Sequence, residues 1–195
     1  PSWPVSFSLD TGLHTGAVFF QVKQTWKGSE PDWLVTVFAD HYSVGELPEY
    51  HVQTCKKIAS SLCQDRMDKR WTDPAGDQRN NLGVVILGEY AAAGLTFERW
   101  PHRSPCDRLT LMEAIVRDAA GNIRLLVHPR CQHVITAFQN YERASRAGQY
   151  EDKPKDPQHP QEAVMDAFAG GLIGQFPEGR LPQPKMQRVH GSRLR

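Results

Sequence analysis

Three aspartates stand at points of the sequence where metal-dependent chemistry could be built. Asp10 and Asp73 each end a run of residues typical of a β-strand, and Asp166 lies in the last predicted helix. Ligands of open α/β sheets bind beyond the carboxyl ends of strands, so Asp10 and Asp73 converge if their strands are neighbours. Clustered carboxylates repel one another unless cations neutralise them, and oxygen-rich clusters suit Mg²⁺ or Mn²⁺. Two such ions about 4 Å apart can activate water for phosphodiester cleavage.

A polar stripe surrounds the third of these aspartates. His159, Glu162 and Asp166 are spaced three and four residues apart, so on a helix they share one face. Glu162 is therefore predicted to be a weaker metal ligand beside Asp166. Asp156 is a further candidate for the third acid, but it lies in a loop between two prolines, and a helix holds a carboxylate more rigidly. Whether Glu162 or Asp156 replaces or assists Asp166 stays open.

Each aspartate also has a local explanation. Asp10 could cap a turn, Asp73 could form an Asx turn before a proline, and Asp166 could lie on a solvated helix face. The occurrence of all three in this order favours a joint site.

The elements that must position these residues are predicted from hydrophobic periodicity and from turn residues. Strands are predicted over residues 5–10, 17–24, 33–42, 67–72, 95–100 and 123–127. Helices are predicted over residues 47–66, 82–93, 104–121, 134–144 and 161–173, with an exposed loop over 148–160. An antiparallel meander followed by alternating helices and strands is typical of a mixed α/β sheet.

Composition bounds the class of protein. The chain has 195 residues, of which 39% are hydrophobic and 23% charged, so one domain with a sizeable core is expected. Its net charge of +1 argues against a uniformly basic, histone-like surface. Residues 177–195 carry five basic residues against one acidic residue, whereas residues 1–176 carry 18 against 21. We therefore predict a domain over residues 1–176 and a flexible basic tail over residues 177–195.

Cysteines and histidines do not form a standard zinc or disulfide pattern. The four cysteines lack a CxxC pair, which favours a reducing cytoplasm over a secreted, disulfide-bonded fold. His51 lies one turn before Cys55, and His128, Cys131 and His133 follow a strand, but neither spacing is that of a structural zinc site. We predict core thiols and surface imidazoles. No apolar run is long enough to cross a membrane, so no membrane association is expected.

Several segments in order carry a family resemblance. The chain has Asp10-Thr11-Gly12 after a strand, TDPAGDQRN over residues 72–80, and a polar run over 141–156 that leads to Asp166-Ala167-Phe168. Over about residues 5 to 174 this order resembles the C-terminal nuclease domain of tailed-bacteriophage large terminases. The resemblance implies an RNase H-like mixed sheet with helices on both faces. It also implies two Mg²⁺ or Mn²⁺ ions and endonucleolytic cutting of concatemeric double-stranded DNA during genome packaging. Matched residue by residue, Asp10, Asp73 and Asp166 fall on the family's acidic triad.

The resemblance also implies partners. No GxxxxGK[ST] phosphate loop occurs, so the terminase ATPase domain is expected outside this sequence and would be a partner, together with the portal protein and the small terminase subunit. The expected location is the cytoplasm of the infected bacterial host. Four basic residues near the third acid could follow a DNA backbone: Arg143, Arg146, Lys153 and Lys155. The alternatives are a Holliday-junction resolvase or transposase-like nuclease, and a non-catalytic DNA-binding or motor-docking module of the same fold.

Overall fold

A computed structural model describes residues 3–28, 30–74, 85–117, 121–146, 149–154 and 160–181. The strands in these ranges are β1 Ser6–Asp10, β2 His14–Lys27, β3 Glu30–Val44, β4 Lys69–Thr72, β5 Glu98–Arg99, β6 Leu125–Val127, β7 Arg143–Arg146 and β8 Gln149–Pro154. The helices are α1 Pro48–Cys63, α2 Ile86–Ala92, α3 Pro105–Val116, α4 Gln132–Asn140 and α5 Pro160–Gln175. Among the helices of the described ranges, none combines the length and apolar character of a membrane-spanning segment.

Six strands form a mixed sheet in the order β5-β4-β1-β2-β3-β6. β1, β2 and β3 pair as an antiparallel meander, while β4 pairs parallel to β1, β5 parallel to β4, and β6 parallel to β3. The predicted mixed α/β sheet is confirmed. The parallel pairing of β1 with β4 brings the carboxyl ends of both strands to the same edge, which is where open sheets bind ligands.

Helices cover both faces of this sheet, as expected. In β1 the side chains alternate, so that Phe7 and Leu9 pack in a core with residues of α1 and α2. The opposite face packs against α3, α4 and α5, where Phe168 meets the ring of Phe20 edge-on at 5.7 Å. Burying a side chain such as Phe168 contributes about 1.5–3 kcal/mol.

α5 lies unusually close to the sheet because its inner side carries glycines. A Cβ atom on Gly170 would lie 2.4 Å from the ring of Trp100, and one on Gly174 would lie 2.4 Å from the ring of Trp71. Each helical glycine costs about 1 kcal/mol relative to alanine. The close packing of α5 on two tryptophans offsets that cost and fixes the distance between the helix and the sheet.

The region before α5 differs from the prediction. The helix predicted over 134–144 ends at Asn140, and residues 143–146 form β7 instead. The predicted loop over 148–160 contains β8, which pairs antiparallel with β7. These predictions were wrong because a short polar segment carries little periodicity, and pairing with a neighbouring segment decides its conformation. The strand predicted over 95–100 is reduced to the two residues of β5, and α3 ends at Val116 rather than near Gly121.

Candidate active site

Asp10 and Asp73 lie at the ends of adjacent parallel strands. Leu9 of β1 pairs with Thr72 of β4, so the aspartates that follow occupy matching positions at the edge of the sheet. Strand side chains alternate between faces, and Trp71 faces the core under α5. Both aspartates are therefore expected on the α5 face, which agrees with the electrostatic effect of Asp73 on Asp10.

Gly16 brings α5 to these strands. It is the β2 partner of Asp10, and a Cβ atom on it would lie 2.5 Å from the backbone carbonyl of Ala163. Only a residue without a side chain allows the helix backbone this approach. Glu162 and Asp166 flank the contact on α5, and the charges of both act on Asp10. The sequence contains this glycine in a turn-rich segment, but nothing local indicates which helix it receives.

Neighbouring carboxyl groups raise the proton affinity of Asp10 and Asp166. Burial raises the pKa of Asp10 well above its ordinary value, and the charges of Asp166, Asp73 and Glu162 raise it further, while Arg108 opposes the shift. Burial also raises the pKa of Asp166, again with Asp73 adding and Arg108 opposing. Like charges held together in this way make the binding of a cation favourable.

Arg108 was missed by the sequence analysis. Its Nη1 lies 3.3 Å from Oδ1 of Asp166, with 14% of the Arg108 side chain and 31% of the Asp166 side chain exposed. The start of α3 was predicted, and Ser104 does cap it by accepting a hydrogen bond of 3.1 Å from the backbone N–H of Asp107. The sequence therefore places Arg108 in the first turns of a helix, but it does not indicate that α3 packs beside α5.

The donor chemistry of this cluster fits a hard divalent cation. Asp10, Asp73, Asp166 and Glu162 supply carboxylate oxygens, the ligands that Mg²⁺ and Mn²⁺ prefer, and Arg108 is the positive charge acting on Asp10. Within the described ranges, no three His, Cys, Asp or Glu side chains lie together tightly enough to hold an ion between them. The residues thus fit the ion in kind, but they are not drawn together around a common point, and Asp166 contacts Arg108 instead.

Other predicted residues lie along the chain leading into α5. Arg143 and Arg146 are on β7 and Lys153 is on β8, so three of the four predicted DNA-contacting residues share one hairpin. The remaining predicted residues, Lys155, Asp156 and His159, lie outside the described residues, as do residues 75–84 after Pro74.

The prediction for the cysteines is consistent with the structure, but that for His51 is wrong. Cys55 and Cys131 are buried, and burial raises the pKa of each thiol to about 12. His51 is only 1% exposed, and its Nδ1 lies 3.1 Å from Nε2 of His41. Burial lowers the pKa of His41 to about 4, with His51 adding to the shift. The partner of His51 comes from β3, which helical spacing in α1 does not reveal.

Comparison with known proteins finds likeness in structure alone. No protein-family model matches the sequence, and no sequence relative is detected among curated proteins. The chain is similar to the nuclease domain of the P22 large terminase, with a TM-score of 0.62 and 14% identity over 89% of this chain and 82% of that one. It is similar to the large terminase (g2p) nuclease domain of bacteriophage SPP1 with bound Mn, with a TM-score of 0.57 and 10% identity over 88% and 86% of the two chains. It is also similar to the large terminase nuclease of thermophilic phage G20c, with a TM-score of 0.57 and 13% identity over 88% and 82%. The chain thus has the RNase H-like α/β fold of phage large terminase nuclease domains.

Proposed function

We propose that this chain is the nuclease domain of a viral packaging terminase and cuts concatemeric double-stranded DNA. The observation that carries the proposal is the convergence of Asp10, Asp73 and Asp166, from three elements distant in sequence, on a fold shared with terminase nucleases. Like charges held close together destabilise a protein, and side chains with strongly shifted pKa values occur preferentially at functional sites. The bound Mn of the SPP1 neighbour supports divalent metal use.

In this proposal the acidic residues hold two Mg²⁺ or Mn²⁺ ions. Asp10 and Asp73 would hold one ion, Asp166 would hold the second, and Glu162 would assist Asp166. When bound, such ions activate water and stabilise the leaving oxygen of a phosphodiester. The chain's own contribution is to hold the carboxylates in place: the ends of β1 and β4 are tied by sheet pairing, and α5 is seated on Gly16.

The DNA substrate would follow the β7–β8 hairpin, where Arg143, Arg146 and Lys153 supply positive charge. Without base contacts, such binding is weak, insensitive to sequence and steeply dependent on salt. The partners would be the terminase ATPase domain, the portal protein and the small subunit, in the cytoplasm of the infected host. Gel-shift titrations of unrelated duplexes at two salt concentrations test the DNA contact, and sequence-selective binding would contradict it.

Metal-dependent cleavage of plasmid DNA tests the proposal. We expect cutting with Mn²⁺ or Mg²⁺, none with EDTA, and a rate about 100-fold lower or more in Asp10→Asn, as found when one group that stabilises a transition state is removed. Asp65→Asn is the matched control, because Asp65 is exposed and its left-handed φ of 60° suits asparagine.

A non-catalytic DNA-binding module is the second candidate, favoured by the contact of Arg108 with Asp166. It predicts DNA binding without cutting at any metal concentration. Cutting by Asp10→Asn at the wild-type rate would instead show that the nuclease site lies elsewhere.

A further inference from the structure

We call Asp10, Asp73, Glu162 and Asp166 the acidic cluster. We propose that Arg108 is an internal counter-cation of the acidic cluster and competes with a divalent ion for the carboxylate of Asp166. This inference rests on the proposed function, since it requires that Asp166 binds metal. Arg108 is in this view a positioning residue: it holds Asp166 in place in the metal-free protein and yields it when the ion arrives.

The contact is built into the packing. Arg108 is mostly buried, and its guanidinium reaches Oδ1 of Asp166 at 3.3 Å. Its neighbour in sequence, Leu109, packs against the same core that contains Met165, the residue before Asp166. Both ends of the ion pair are therefore carried on helices whose apolar side chains are fixed against one another.

A second link holds the two helices in register. Just before α3, the guanidinium of Arg103 donates hydrogen bonds of 2.6 and 3.2 Å to the backbone carbonyl of Pro177, which follows α5. The start of α3 is thus tied to the chain beyond the end of α5. Arg108 has little freedom to leave by movement of its helix, so its release from Asp166 must occur by side-chain rotation.

Charge explains why such a residue is needed. The carboxyl groups that act on Asp10 come from Asp73, Glu162 and Asp166, and Arg108 supplies an opposing positive charge. Without an ion and without this guanidinium, the carboxylates would repel one another more strongly. With an ion, two cations would address the same carboxylate oxygens, and the guanidinium would oppose metal binding. Arg108 therefore lowers the affinity for the metal ion and stabilises the metal-free fold.

Metal binding in the absence of DNA tests both effects of Arg108, on metal affinity and on stability. In Arg108→Met, which keeps the chain length but not the charge, we expect a lower thermal unfolding midpoint in EDTA. We also expect half-maximal stabilisation by Mn²⁺ at a concentration about tenfold lower than in the wild type, which equals about 1.4 kcal/mol. In the double variant Arg108→Met/Asp166→Asn the gain in Mn²⁺ affinity should disappear. Arg117→Met, at the exposed end of α3, is the control and should change neither quantity.

The outcomes separate this inference from the proposed function. If Mn²⁺ stabilises wild type and Arg108→Met at equal concentrations, Arg108 does not compete and only this inference is overturned. If Mn²⁺ stabilises neither protein, the metal site itself fails and the inference fails with it. If Arg108→Met does not fold, Arg108→Gln takes its place, because glutamine keeps a hydrogen-bond donor without the charge. An unchanged Mn²⁺ concentration in Arg108→Gln would equally overturn the proposal.

Discussion

Both faces of the sheet bring ionisable side chains together at the same end, but the two groups of side chains differ in kind. Asp10, Gly16 and Tyr42 form one row across β1, β2 and β3, and His41 is the residue before Tyr42. On the α1 face, His41 meets His51 of α1 at 3.1 Å. On the α5 face, the row ends in the acidic cluster around Asp10.

The two buried histidines satisfy each other's hydrogen bonding. Burial lowers the pKa values of His41 and His51, so both imidazoles are neutral at pH 7 and one can donate a hydrogen bond to the other. The acidic cluster has no neutral pair of this kind, because ionised carboxylates only accept hydrogen bonds and repel one another. Its opposing charge comes from Arg108, which contacts Asp166. A buried polar group that finds a neutral partner stabilises the fold, whereas like charges held close together repel one another and favour the approach of a cation.

The largest effect is expected from removing a carboxylate of the acidic cluster. Cleavage should fall about 10²–10³-fold for Asp166→Ala, less for Glu162→Ala and least for Asp156→Ala, because Asp166 lies within a packed helix and touches Arg108. Single-turnover cleavage at saturating Mn²⁺ measures the order, with folding checked by circular dichroism. A reversed order would move the third ligand from α5 to the segment that precedes it in sequence.

The pH dependence of stability should have opposite signs on the two faces. Because the folded pKa of His41 is about 4 against an ordinary 6.5, the unfolded chain binds more protons between these values. The free energy of unfolding should then fall as pH falls from 6.5 to 4, by up to about 3 kcal/mol. The raised pKa of Asp10 acts in reverse, since the unfolded chain loses its proton first and stability falls as pH rises above about 4.

Urea unfolding in EDTA from pH 4 to 8 separates these contributions. His41→Gln should flatten the acid side of the profile, since glutamine retains a hydrogen-bonding group near the Nε2 position. Asp10→Asn should raise stability at neutral pH by removing one charge from the cluster. If both variants show the same dependence of stability on pH as the wild type, the pKa shifts of His41 and Asp10 are refuted.

A smaller effect tests how α5 is seated. In Gly16→Ala the new Cβ would meet the carbonyl of Ala163 at 2.5 Å, and overpacking of this kind costs about 1–3 kcal/mol. Denaturant unfolding measures the loss, and cleavage should fall with it because the helix that carries Asp166 must shift. Gly88→Ala is the matched control: it lies in α2 with nothing within 4 Å of the new atom and should stabilise by about 0.4–1 kcal/mol. Equal stability of the two variants would mean that α5 tolerates the displacement.

Features that depend on neighbouring residues could be predicted from the sequence. The ends of β1 and β4 at Asp10 and before Pro74, the capped start of α3 at Ser104, and the mixed α/β class all follow from local periodicity and turn chemistry. The spacing of Glu162 and Asp166 along one helix likewise needs no tertiary information. These predictions succeed because backbone preference and side-chain alternation act over a few residues.

Which of these elements meet could not be predicted from the sequence and is seen in the folded protein. The seating of α5 on Gly16, the approach of Arg108 to Asp166, and the pairing of His41 with His51 join side chains from different elements. Their energies depend on packing and on charges brought together by the fold, and no local pattern encodes the choice of partner. The β7–β8 hairpin shows the same limit, because each polar strand is stabilised by backbone hydrogen bonds to the other rather than by a signal of its own.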